Sequence, residues 1–152
     1  MGISLDFEIR VSQNYLGVES AVKDFFQEEH WVITKEDEDN KNKKGNFWMY
    51  QKKESHVAFA NNVVFDPEKE IIKGDLNGVN IENKDVSVGE VVEEIYKHLI
   101  YYIADYITEK VTDSEFEGEC SYDEGFISMR TEFSYINGKL ESNSYGDEGD
   151  DY

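Results

Sequence analysis

A chain of 152 residues, 39% of them hydrophobic, is long enough for one domain with a sizeable core, and ten Tyr and nine Phe argue against disorder. Thirty-four acids against fifteen bases leave a net charge of −19, which argues against nucleic acid and anionic membrane surfaces as direct partners and favours a basic protein. The single Cys120 excludes an internal disulfide and points to a reducing compartment, the cytoplasm.

Residues 1–6 carry neither a basic nor an apolar targeting region, so no signal peptide is expected. Ile3, Leu5, Phe7, Ile9 and Val11 alternate with polar residues, the period of a half-buried strand. Asn14 to Gly17 reads as a turn. Val18, Val22, Phe25 and Phe26 then define an amphipathic helix to about His30, with Glu19, Lys23, Gln27 and Glu28 outward. Trp31 to Thr34 reads as a short strand, and both Trp31 and Trp48 as core or core-edge residues. Lys35 to Asn46, acidic and then basic, reads as an exposed loop.

Strands are expected over Phe47–Lys52 and Val57–Phe65, the second interrupted by Asn61. A turn at Asp66–Lys69 leads to a short return strand, Glu70–Gly74, and a loop, Asp75–Asp85. Ser87 and Glu90 form a capping box that opens a long helix to Lys110. Its core face is read as Val88, Val91, Val92, Ile95, Leu99, Tyr102, Ile103 and Tyr106. The longest apolar run, Leu99 to Ala104, is too short to span a bilayer.

The last third reads as a three-strand meander. Asn137-Gly138 is a strong type I′ hairpin signal and pairs Ile136 with Lys139 and Tyr135 with Leu140. A two-residue Glu124-Gly125 loop would pair Cys120 with Met129, Glu119 with Arg130, and Glu117 with Glu132. Both registers put the same apolar residues on one face. The other face collects Glu115, Glu117, Glu119, Glu132 and Glu141, with Arg130 as its one cation. From Val111 onward twelve acids face two bases, so 42 residues carry a net −10 of the total −19. The expected fold class is α+β: a mostly antiparallel sheet, two helices packed on one face, and the C-terminal meander. Residues 1–145 form a single domain and 146–152 an acidic flexible tail.

Chemistry-bearing motifs are scarce. His30, His56 and His98 lie far apart, and neither a CxxC nor an HxxxH spacing occurs, so no metal site and no cofactor are expected. Cys120 falls on the apolar face, where a thiol is usually inert. Lys41, Lys43, Lys44, Lys52 and Lys53 are too diluted by acids for nucleic-acid binding. The expectation is a protein that is not an enzyme.

A small, acidic, cysteine-poor α+β chain resembles the immunity proteins of bacterial toxin systems, in whole-chain properties and not in a motif. The resemblance implies a cytoplasmic binding protein that neutralises a basic toxin or nuclease domain by occlusion. The partner surface is then expected at Glu115, Glu117, Glu119, Arg130, Glu132 and Glu141. Two other readings belong to different classes. One is a phage-type inhibitor that mimics DNA at a host defence nuclease. The other is a small hydrolase or ligand-binding domain with a pocket between helix and sheet.

Overall fold

The structure is a computed structural model that describes residues 4–29, 31–37, 46–54, 57–80, 88–123 and 127–148. The chain runs β1 (Ser4–Gln13), α1 (Tyr15–Glu28), β2 (Val32–Asp37), β3 (Asn46–Glu54), β4 (Val57–Asp66) and β5 (Ile71–Asn80). It continues through α2 (Val88–Lys110), β6 (Glu115–Asp123), β7 (Ile127–Ile136) and β8 (Lys139–Glu148). Among the described residues eight strands form one antiparallel sheet in the order β2-β3-β4-β5-β1-β6-β7-β8. The fold is α+β, as expected, with both helices on one face and β6–β8 as a C-terminal meander. No helix among the described residues is long and apolar enough to cross a membrane.

The first strand enters the centre of the sheet, between β5 and β6. Leu5, Phe7, Ile9 and Val11 point toward the helices and are buried. α1 begins earlier than its apolar pattern suggests. Asn14 takes a left-handed conformation (φ 61°) and its side chain accepts a hydrogen bond from the Gly17 N–H, so the expected turn is a cap and a first helical turn. Tyr15, Val18, Ala21, Val22, Phe25 and Phe26 are buried against the sheet. Glu19 and Lys23 are not fully outward: they form an ion pair at 3.1 Å, and the Lys23 ammonium sits 4.9 Å above the Phe65 ring.

β5 is ten residues long, not a short return strand, and it takes in the first residues of the expected loop. It is paired on both sides, by β4 and β1, and two ladders outweigh the weak strand propensity of Gly74, Asn77 and Gly78. Asp66 closes the β4–β5 turn by accepting from the Lys69 N–H at 3.1 Å. Asn61 faces the core rather than breaking the strand. It is buried and its amide has no hydrogen-bond partner among the described residues, a cost of about 1–3 kcal/mol.

In α2 the buried residues are Val92, Ile95, Tyr96, Ile103, Ala104 and Ile107, with Val91 and Tyr106 partly covered. Tyr102 was expected inside and is 53% exposed. The packed arc centres on the line through Val92, Tyr96, Ile103 and Ile107, and Tyr102 falls on its shoulder. Thr131, buried in β7, fastens this helix to the meander through the Tyr96 hydroxyl at 3.2 Å and also contacts the Ser144 hydroxyl at 3.0 Å. Trp31 is buried, as expected of a core residue, and so is Cys120. Burial and the nearby Asp6 push the Cys120 thiol up, so it stays protonated at neutral pH. β8 continues to Glu148, so residues 146–148 belong to a strand and not to a tail. The capping residue Ser87, most of the charged loop (38–45), the histidines at 30 and 56, and residues 149–152 lie outside the described residues.

The Asn137-Gly138 hairpin has the expected register, with φ 54° and 76° at its two turn residues. The β6–β7 register differs by two residues. Asp123 pairs with Ser128, Cys120 with Thr131 and Glu119 with Glu132. Glu119 is therefore not opposite Arg130, and Glu117 is opposite Ser134 rather than Glu132. A two-residue slip returns every side chain to the same face, so agreement of the apolar faces tests parity and cannot detect it.

Candidate functional site

On β5, β1, β6, β7 and β8 the face away from the helices is polar, because alternation places most of their acids there, whereas β4 turns Ala58, Ala60 and Val64 to it. Strand order then joins these acids into rows. One row runs Lys73, Glu8, Glu119, Glu132, Asn143 across β5, β1, β6, β7 and β8. Its three glutamates are direct neighbours on adjacent strands, spaced by about 4.8 Å between strands. Like charges in that position repel. On one side lies the row Arg10, Glu117, Ser134, Glu141, and on the other Asp75, Asp6, Ser121, Arg130, Tyr145.

Cations interleave the rows. Arg10 donates to Glu8 at 2.8 Å and lies 3.6 Å from Glu119. Its guanidinium is pushed up from the ordinary value, first by the hydrogen bond to Glu8 and also by Glu119 and Glu117. Lys73 reaches Glu8 at 3.6 Å, and Arg130 reaches Glu132 at 3.5 Å and Glu119 at 4.0 Å. These groups are largely solvated, so each pair contributes little to stability, about 0–1 kcal/mol. They do not balance the face. Among its described side chains on β5, β1, β6, β7 and β8, nine are carboxylates and four are cations: Arg10, Lys73, Arg130 and Lys139. Arg130 is thus not the lone cation of the meander's outer face.

The expected site residues do not form one cluster. Glu117, Glu132 and Glu141 line a hollow of about 280 Å³ with Arg10, Ser134 and Asn143. Glu119 belongs to a second hollow of about 520 Å³, with Asp6, Glu8, Asp75, Lys73 and Ser121. Arg130 bridges Glu119 and Glu132 and lies 5.4 Å from the Tyr145 ring centre. Glu115 stands apart, because its carboxylate accepts from the Asn137 N–H at 3.1 Å and so holds the β7–β8 turn. Asp6, Glu8, Arg10, Lys73 and Asp75 were not expected in the site. Their alternation was visible, but β1 lies beside β6 only because of the strand order.

Asp6 and Asp75 face each other across β1 and β5. Partial burial, and then the charge of Asp75, push the Asp6 carboxyl up from its ordinary value. Between its unfolded and folded pKa values the native state binds more protons than the unfolded chain, so stability falls as pH rises through that window. Asp6→Asn is expected to raise unfolding free energy at neutral pH by about 0.2–1 kcal/mol, after allowance for solvent screening. The gain should vanish by about pH 3, below the ordinary carboxylate range. Denaturant unfolding at the two pH values checks this, and an equal gain at both rules out the shared charge as its cause.

Among the described residues no group of three or more His, Cys, Asp or Glu is arranged to hold a metal ion. No protein-family model and no curated protein matches the chain.

Proposed function

We propose that the chain is a non-enzymatic binding protein that recognises a basic partner protein through the open face of its sheet and neutralises it by occlusion. The protective partner of a toxin or nuclease domain, as in immunity proteins, is the role that best fits this mode. One observation carries the reading: Glu8, Glu119 and Glu132 stand in direct register on three adjacent strands, on a face that no described element covers. Folding alone disfavours that row, since replacing the middle glutamate by Ser or Thr would relieve two repulsive contacts. A basic surface docked on it turns the same repulsion into attraction and accelerates encounter.

The test uses the protein product of the gene adjacent to this one. Tight, salt-sensitive binding is expected, together with protection of cells that express that product. Glu119→Lys and Glu132→Lys should each weaken binding at least tenfold, with far-UV circular dichroism unchanged. Unchanged affinity in both variants, or failure to protect, refutes the proposal. Binding should be confined to one partner, and broad competition with DNA on unrelated basic proteins would indicate DNA mimicry instead.

A further inference from the structure

The sheet ends on two strands, β2 and β8, and β8 is the one that borders the acidic face. β8 ends the strand order, and no described element pairs with its outer side. Its ladder with β7 is regular from Ile127↔Glu148 to Ile136↔Lys139. A two-residue hairpin closes on a hydrogen-bonded pair, and such pairs recur at every second residue of an antiparallel ladder. Lys139, Glu141, Asn143 and Tyr145 therefore direct their backbone groups to β7. Leu140, Ser142, Ser144 and Gly146 turn their N–H and C=O groups outward.

Exposed edges are commonly blocked by proline, by bulges, by shortness, by charged side chains on the edge or by inward-pointing charges. β8 is ten residues long, contains no proline, and shows no register shift against β7. Leu140, Ser142, Ser144 and Gly146, on the helix-side parity, carry no charge. What guards this edge is charge, with Lys139 and Glu141 on the open-face parity.

Charge selects the strand. The hollow lined by Glu117, Glu132 and Glu141 lies on the open face directly inside β8. Residues of an added strand that stand opposite Glu141 and Asn143 project onto this face. Strands are spaced by about 4.8 Å, so a Lys or Arg side chain there can cross β8 toward Glu132. A second copy of this chain would bring another −19 charges and be repelled. We infer that β8 takes up an extended segment of a basic partner protein as a ninth strand, with Lys or Arg at alternate positions over Glu141 and Glu132. The inference rests on the basic partner proposed above and adds its mode of attachment.

The experiment titrates the full chain, at low salt, with a decapeptide of alternating Thr and Lys. A second peptide has the same charge but is N-methylated at the amides that would face β8. The unmodified peptide is expected to bind and to slow amide exchange at Ser142, Ser144 and Gly146. The N-methylated peptide should bind at least tenfold more weakly. Ser142→Pro removes an outward N–H without touching the β7 ladder and should produce the same loss for the unmodified peptide. Equal affinity of the two peptides, or no protection at these amides, overturns the edge mode. Failure of the unmodified peptide to bind overturns it too. In each of these cases the glutamate reversals against the neighbouring gene product decide the acidic-face reading separately. A dimer in sedimentation that Ser142→Pro abolishes would assign the edge to a second copy and also overturn the inference.

Discussion

Phe26→Ala is expected to lower the unfolding free energy by about 3–5 kcal/mol, the range for truncating a fully buried aromatic residue. Phe26 has no exposed surface, and its ring meets four others: Tyr50 at 4.8 Å, Phe25 at 5.7 Å, Phe7 at 6.0 Å and Trp31 at 6.0 Å between centroids. Those residues come from β3, α1, β1 and the segment before β2. One ring therefore ties the first helix to both the centre and the β2–β3 side of the sheet. The Phe26 carbonyl also accepts from the Trp31 N–H at 3.0 Å, which fixes the exit of the helix. Truncation leaves a cavity bounded by rigid rings that collapse poorly. Phe26→Leu should recover part of the loss, because it restores apolar volume without the ring contacts. Urea unfolding of both variants measures this, and a loss below about 1 kcal/mol for the alanine would show that the cluster is not the joint described here.

Gly118→Val should cost about 3 kcal/mol or more, and it should disturb the acidic row as well as the core. Gly118 pairs with Ile9 on β1 and with Phe133 on β7, and the Phe133 ring lies over it. A Cβ at this position would stand 2.5 Å from the ring atoms of Phe133 and 2.7 Å from the Glu8 carbonyl oxygen. The ring can turn, but the carbonyl belongs to the neighbouring backbone, so the β1–β6 ladder has to open. Glu119 is the next residue, and Glu8 supplies the crowded carbonyl. The same displacement therefore separates two of the three glutamates in the row. The expected result is a large fall in denaturation midpoint together with weakened partner binding. Gly146→Ala is the control, because its Cβ would find only Met129 at 3.9 Å. If Gly118→Val unfolds at the same denaturant concentration as Gly146→Ala, the close approach is not limiting.

Much of the architecture was legible because local chemistry decides it. Leu5, Phe7, Ile9 and Val11 alternate with polar residues, and a strand covered on one face must turn these four inward. Asn137-Gly138 takes the positive φ values of its turn, so the last hairpin followed from two residues. The misread positions have separate causes. Asn77 and Gly78 look like loop residues, yet β4 and β1 hold that segment extended from both sides. Asn14 resembles part of a turn until its side chain is seen to cap α1. The β6–β7 slip leaves no mark in the sequence pattern, because a shift of two preserves the faces.

The candidate site divides the same way. Glu117, Glu119, Glu132 and Glu141 were readable from the sequence as outward acids of one meander, since alternation determines which way a strand residue points. Their neighbours were not. Asp6 and Glu8 lie more than a hundred residues before Glu119, Lys73 belongs to a segment that reads as a short return strand, and Asp75 opens one that reads as a loop. By itself the sequence determined the charge, the helix and strand periods, and the face on which each acid lies, because these depend on residue type and on periods of 2 and 3.6. Only the tertiary structure decided that β1 inserts between β5 and β6, and that Glu8, Glu119 and Glu132 form one row. It also decided that this row ends at an open edge. Pairing between distant strands is chosen by how the whole apolar face is covered, and no local stretch of chain contains that information.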